Sequence, residues 1–250
     1  MDKYHDILSS FGTQNTLNPE IWDDVESDTP KLKPNIRKAL LIIAGEFMEY
    51  LGDNLFVDDV RFTGSLANFN WSKYSDIDLH VYVDFSQFEA EDVELYKELF
   101  KLKKTVFNDS HNITVKGYEV ELYAEDIDET HVSTGVYSVL FDTWVHKPEK
   151  ENVKIDKELL KKKSQCMMDK IDDIISDTKK LDFDKAKKEI EKFKDKIKKY
   201  RTSGLEKEGE FSYENLVFKV LRRNGYLEKL YDYQNELMDK NLSVDENKSE

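Results

Sequence analysis

Asp76 and Asp78 sit at i and i+2 in the stretch DIDLHVYVD. On an extended strand, residues two apart project to the same face, so both carboxylates point one way. Carboxylates this close repel unless something neutralises them. A hard divalent cation with oxygen ligands is the natural neutraliser. Ten residues separate this pair from Gly64-Ser65, which ends an earlier strand-like segment. A Gly-Ser turn there offers backbone N–H groups and a hydroxyl to a phosphate. Further on, HNITV-KG-YEVELYA places Glu119 and Glu121 on one face of another strand. If that strand pairs beside the first, a third carboxylate joins the cluster. Three carboxylates can hold two Mg²⁺ ions for in-line phosphoryl or nucleotidyl transfer.

These residues need a scaffold, and its elements are legible in the spacing. Ile36, Leu40, Ile43, Phe47 and Leu51 predict an amphipathic helix that opens at Pro34 and stops at Gly52. Val57 to Thr63 predicts a strand. In Asp76 to Asp84, Ile77, Leu79, Val81 and Val83 share one face, and Asp76, Asp78, His80 and Tyr82 the other. Residues 89–104 predict a helix and 111–124 a hairpin, with Lys116-Gly117 at its tight turn. Residues 131–145 predict a helix, or a turn and a helix, with Val136, Leu140 and Trp144 inward. After Pro148 two heptad seams follow. Leu160, Met167, Ile171, Ile174 and Leu181 make the first. Phe183, Ala186, Ile190, Phe193, Ile197 and Tyr200 make the second. An antiparallel helical hairpin broken at Leu181-Asp182 results. Residues 202–210 predict a loop, and Ser212 caps a helix that stops at Asn224-Gly225. A last helix runs to about Lys240. The expected organisation is an N-terminal arm over 1–33 with one short helix, a catalytic domain over 34–147, a helical domain over 148–242 and a polar tail over 243–250.

Gly64-Ser65, Asp76-Ile77-Asp78 and the later acid-bearing strand together resemble the nucleotidyltransferase superfamily of the DNA polymerase β type. The order of helix, strand, Gly-Ser turn, D-x-D strand and third-acid strand matches the catalytic core of that superfamily over roughly residues 34–145. LNPEIWDD, HVSTGVYSVLFDTW and GEFSYENLVFKVLRRNGYLEKL are more loosely similar to predicted nucleotidyltransferases of tailed phages. The resemblance implies that Asp76 and Asp78 bind two Mg²⁺ or Mn²⁺ ions. It implies that Glu121 is the third carboxylate, because Val-Glu-Leu-Tyr resembles the acid followed by apolar residues in that family. Glu119 stays open as its rival, and many members carry Asp at this place. Gly64 and Ser65 would cradle the β- and γ-phosphates of an NTP, and pyrophosphate would leave.

Other residues carry weaker signals. Asn68 and Lys73 lie in the loop before the D-x-D strand and could meet the nucleotide, or simply belong to a solvated loop. Tyr137 could stack a nucleobase, with Ser133 and Thr134 near ribose or phosphate; the alternative is a packed aromatic behind a helix cap. Arg222, with Arg223 and Lys219, could bring positive charge to the triphosphate, although a helix C-terminus favours cations by itself. His80 could contact phosphate or metal, or be an ordinary polar strand residue. The Phe183–Tyr200 stripe reads as core. Cys166, beside Met167 and Met168, reads as packing.

Composition narrows the field. The chain has 250 residues, a net charge of −14 and one cysteine. One cysteine excludes an intramolecular disulfide and a Cys-rich zinc site, and a reducing cytoplasm is expected. No apolar run approaches the length of a membrane span. The opening MDKYHDIL lacks the basic start and apolar run of a secretory signal. Residues 1–150 hold 14 basic and 29 acidic side chains, whereas residues 147–201 hold 19 basic and 13 acidic ones. Bulk DNA binding is therefore not expected, while a local basic helical surface stays possible.

The expected fold is α/β: a small mixed sheet with flanking helices, followed by an α-helical C-terminal region, with nucleotide and acceptor in the cleft between them. The expected activity is transfer of an NMP from an NTP to a hydroxyl of an RNA 3′ end, a nucleotide, a small molecule or a protein. Two rivals differ in class. One is a catalytically degenerate binding module, antitoxin-like or regulatory, that acts by interaction. The other is a glycosyltransferase, whose D-x-D also binds a metal and a nucleotide-sugar diphosphate.

Overall fold

The computed structural model describes residues 3–52, 55–128, 133–151 and 153–244. The chain divides into two compact units. One is helical, formed by residues 1–12, which carry the short helix α1 (Lys3–Ser9), and by residues 153–250. The other, residues 13–152, carries the sheet.

In the sheet unit, β1 (Trp22–Asp23) and β2 (Lys31–Leu32) form a small antiparallel ribbon. Then come α2 (Pro34–Leu51), β3 (Val57–Thr63), β4 (Ile77–Val83), α3 (Val93–Ser110), β5 (Thr114–Val115), β6 (Tyr118–Asp126), β7 (Val136–Ser138) and β8 (Thr143–His146). The order across the main sheet is β5-β6-β4-β3-β7-β8. Only β4 and β6 run parallel among these pairs. A parallel pair needs a crossover, and α3 lies within it.

The local chemistry of these elements is plain. α2 buries Ile36, Leu40, Ala44, Phe47 and Leu51, spaced by four, four, three and four, with Pro34 in its first turn. Lys116 and Gly117 both have positive φ, 55° and 80°, as a two-residue hairpin turn requires. β4 buries Ile77, Leu79, Val81 and Val83 on one face. His80 and Tyr82 are buried on the other, so only the start of the strand, with Asp76 and Asp78, nears solvent. α2, α3 and the apolar faces of β3, β4 and β6 share one core.

Residues 133–145 depart from the expected helix. β7 and β8 form a hairpin, and Leu140, expected inward, is exposed. (Positions 131 and 132 lie outside the described residues.) Three- and four-residue strands are too short to show a period, and here pairing of β7 with β3 decides the conformation. The start of β7 also demands Gly135, where a Cβ would sit 2.1 Å from the carbonyl oxygen of Ala67. The stretch expected as an arm is largely built in. Leu17, Ile21, Trp22 and Leu32 belong to the sheet unit's core, and Ile7 and Leu8 of α1 are buried in the helical unit. Trp22 stacks on Trp144 at 4.7 Å and on Phe62 at 5.6 Å.

The helical unit holds α4 (Lys157–Thr178), α5 (Phe183–Glu208), α6 (Tyr213–Arg223) and α7 (Tyr226–Leu242). Asp156 and Asp182 cap α4 and α5 by accepting backbone N–H groups. α4 buries Leu160, Ser164, Met168, Ile171, Ile175 and Thr178, not the expected seam through Met167 and Ile174. Cys166 is exposed rather than packed. The α5 stripe of Ala186, Ile190, Phe193 and Ile197 is core. α5 also runs on through the expected loop. Gly204 lies within it where α6 comes close: a Cβ there would lie 2.5 Å from Glu214 Cβ and 2.8 Å from Ser212 Oγ. Ser212 caps α6, which ends at Asn224-Gly225. Of the expected tail, positions 245–250 lie outside the described residues. No helix among the described residues is long and apolar enough to cross a membrane.

Asp142 holds the β7–β8 corner. It accepts hydrogen bonds from the Tyr137 hydroxyl at 2.7 Å and from Lys31 at 3.3 Å, and Arg37 lies 3.5 Å away. Burial works against its carboxylate, but these bonds and the charges of Lys31 and Arg37 outweigh burial and hold its pKa below the usual range. A depressed carboxyl pKa stabilises the fold above the unfolded-state pKa, and that stabilisation is lost as pH falls through the folded-state value. Asp142→Asn, which tolerates the positive φ of 55° here, is expected to cost about 1 kcal/mol at neutral pH, after discounting for partial exposure. The gap to wild type should start closing below about pH 4. Urea titrations across pH check this; a gap constant down to acid pH refutes it.

Candidate metal centre

The parallel pairing of β4 with β6 sets Asp78 directly opposite Glu121 and Ile77 opposite Val120. Opposed residues on paired strands share a face, so Glu121 joins the face of Asp76 and Asp78. Oxygens of all three carboxylates lie within 4.8 Å of one another, and all three residues are half-buried. Glu119 is exposed, paired across to Thr114 of β5, and outside this group. The open choice between the two glutamates falls to Glu121 on register.

Gly64 ends β3 beside them with φ 77°. A Cβ on it would lie 1.8 Å from Asp78 Oδ2. The carboxylate thus lies against bare backbone that only glycine provides, in a conformation that favours glycine. Ser65 starts a single turn over Ser65–Ala67 and donates to Ser75 Oγ at 2.7 Å. Ser75 Oγ also accepts from the Ser72 amide at 3.0 Å, which closes the loop between β3 and β4. The indole of Trp22 donates to the Leu66 carbonyl at 2.8 Å and fixes the same turn from beneath.

Two α3 residues complete the site, and the sequence reading missed both. Asn108 reaches the open edge of β6. Its amide donates to the Leu122 carbonyl at 3.0 Å and accepts from the Leu122 N–H at 3.1 Å. This pins the strand one residue from Glu121. Lys104 lies 3.5 Å from Glu121 Oε1 and 3.8 Å over the Tyr123 ring. Burial, then the charges of Asp78 and Glu121, push the Tyr123 phenol far up, so it stays neutral. The available signal was spacing: Phe100, Lys104 and Asn108 recur every four residues, so two polar side chains continue the face begun by a buried Phe.

The electrostatic balance is instructive. Two unit charges 4 Å apart interact by about 4 kcal/mol at an effective dielectric near 20. The three carboxylates make three repulsive pairs, against which the Lys104 contact at Glu121 sets one attraction. The donors are all hard oxygens, which suits Mg²⁺ or Mn²⁺ over softer metals. A cavity of about 340 Å³ opens beside them, lined by Asp76, Glu121, Glu119, Asn108 and Asp109 among others.

The other candidates have surroundings of their own. Asn68 is buried; its amide donates to Thr134 Oγ1 at 2.6 Å and its oxygen accepts from the Phe69 N–H at 2.7 Å. It ties the loop to the start of β7, which replaces the expected nucleotide contact by a structural one. Tyr137 is wholly buried, edge-on to Trp22 and Trp144 at 5.0 Å, so no nucleobase reaches its ring. His80 is buried, stacked on Tyr123 at 4.4 Å with Nδ1 2.9 Å from Glu125. Ser133 donates within its own turn to the Gly135 carbonyl. Lys73 is exposed on the loop between β3 and β4, its Nζ 5.2 Å from the Tyr74 ring centroid. Arg222 is exposed in the last turn of α6, in the helical unit.

Comparison of the chain with protein-family models, with curated proteins and with solved structures finds no match. The site therefore stands on its own geometry.

Asp76→Asn and Asp78→Asn each remove an oxygen ligand charge and are expected to abolish the rise in melting temperature that Mn²⁺ gives wild type. That rise corresponds to about 2.7 kcal/mol at 100-fold Kd. Gly64→Ala, which drives Asp78 from its seat, should lose the rise as well. Differential scanning fluorimetry with and without Mn²⁺ decides; equal Mn²⁺ responses in wild type and Asp78→Asn refute the site.

Proposed function

We propose that the sheet unit is a metal-dependent nucleotidyltransferase that moves an NMP from an NTP to an acceptor hydroxyl and releases pyrophosphate. The observation that carries this reading is the convergence of Asp76, Asp78 and Glu121 within 4.8 Å, with Asp78 seated against the Gly64 turn. A lone D-x-D on an edge strand needs neither a third carboxylate from a parallel neighbour nor a glycine too tight for a methyl group.

Asp76, Asp78 and Glu121 would hold Mg²⁺ or Mn²⁺, two ions by the charge they offer. When bound, the ions neutralise the triphosphate and leaving pyrophosphate and make the acceptor hydroxyl easier to deprotonate. The chain's own part is placement. The Gly64-Ser65 turn would present backbone N–H groups to phosphate oxygens, and the Ser65 hydroxyl, which donates to Ser75 Oγ, would join them by rotating from that bond. Asn108 and Lys104 hold Glu121 so that the carboxylates need not reorganise during reaction. The acid excess of the first 150 residues favours a small molecule, a nucleotide or a protein as acceptor over an RNA end. The single cysteine suits a reducing cytoplasm as the place of action.

The Lys104–Glu121 contact favours a second reading. A cation of the protein's own partly satisfies the cluster, as suits a nucleotidyltransferase-like module that has given up metal and acts by binding.

The experiment is incubation of wild type and the Asp76→Ala/Asp78→Ala variant with each α-labelled NTP, Mg²⁺ or Mn²⁺, and total RNA, with an RNA-free control. Label should move to an acceptor with wild type only, and its carrier names the acceptor class. Transfer by both proteins refutes the assigned carboxylates. No transfer, with no metal-dependent NTP binding, establishes the binding module instead.

A further inference from the structure

The helical unit holds a cavity of about 350 Å³ between α5, α6 and α7. Small-molecule sites run from roughly 300 to 1,000 Å³. The walls of this one differ in character. α6 and α7 contribute Phe218, Leu227, Leu230 and Tyr231, and α5 adds Leu205. Leu230 is buried, whereas Leu205 and Tyr231 are 38% and 50% exposed where the cavity opens. The α5 wall also carries Lys194, Lys198 and Arg201, which share one helix face at spacings of four and three. Among the described residues the lining sets these three cations against one acid, Asp195. Lys194 is half-buried; its ammonium donates to Gln234 Oε1 and lies 3.8 Å over the Tyr231 ring. Both partners are neutral, and among the described residues neither Lys194 nor Lys198 forms an ion pair. Burial lowers the pKa of Lys194, against the opposing charge of Glu191. Arg201 lies 4.3 Å over the Phe218 ring and donates to Asn215 Oδ1 at 3.2 Å.

We propose that this cavity binds a small amphipathic anion, its apolar body on the α6–α7 wall and its anionic head at Lys194 and Lys198. The two walls together select that class. A wholly apolar ligand would take water from the Lys194 ammonium and give it no counter-charge. A bare inorganic anion would meet the lysines and leave the apolar wall in water. A cationic ligand would meet like charge. A ligand with an apolar body and an anionic head satisfies both walls, and it supplies the opposite charge that a partly desolvated ammonium favours. Carboxylate and phosphate heads share this chemistry. The site lies wholly within the helical unit and uses none of Asp76, Asp78 and Glu121. It is therefore independent of the transfer reaction proposed for the sheet unit.

Isothermal titration calorimetry of the full chain with octanoate, octyl phosphate and octanol tests this. At least one of the two anions should bind at least about tenfold tighter than octanol, and the tighter anion names the head group. Lys198→Glu should weaken that anion at least about tenfold and leave octanol unchanged. Its melting temperature should match wild type, because Lys198 is exposed and forms no ion pair among the described residues. Lys194→Gln should act in the same direction on the anion. Inorganic phosphate should not displace the bound anion. No saturable binding of either anion, octanol bound as tightly as both anions, anion binding indifferent to Lys198→Glu, or displacement by inorganic phosphate each overturns the proposal.

Discussion

Three like charges held within 4.8 Å are the constraint around which the sheet unit is organised. The carboxylates repel, so their closeness has to be imposed by backbone that cannot yield. The parallel register of β4 and β6 imposes it, since Asp78 and Glu121 are directly opposed. The register in turn is locked by burial. A slip of one residue would turn Ile77, Leu79 and Val81 out of the core and bring acids in. Asn108 fastens the far edge of β6 with two backbone bonds, where β5 is too short to pair.

The same logic explains why residues far along the chain matter to the turn at Gly64. Its glycine is needed because Asp78 occupies the space a side chain would take. The turn it begins is held by Trp22, whose indole bonds Leu66 while its ring lies among Phe62, Tyr137 and Trp144. Such an aromatic cluster supplies large buried area with directional packing. The β7–β8 hairpin and the 13–33 stretch are therefore the support for one wall of the site. Asn68 and Tyr137 do their work inside that support, which is why neither faces the cavity.

The helical unit follows simpler rules. Asp156, Asp182 and Ser212 start its helices by capping orphan amides, and Gly225 starts the last one in a left-handed conformation. Gly204 departs from local preference: helix disfavours glycine, but α6 lies too close there for a side chain. The gain is close helix–helix packing that any larger residue would prevent.

The sequence by itself determined what short-range physics controls. Alternation marked β4, the three-four spacing marked α2 and α5, and Lys116-Gly117 marked the hairpin. The acids at 76 and 78 had to share a face whatever else happened, because the strand period is two. Tertiary structure decided what depends on partners distant in the chain. It chose Glu121 over Glu119, since only strand register says which acid meets Asp78. It made 136–146 a hairpin, since β3 offers an edge to pair with. It shifted the α4 seam to Met168 and Ile175, and it turned Asn68, Tyr137 and His80 inward. Local patterns act over a few residues and are written in the spacing; register and packing act between segments brought together only by folding.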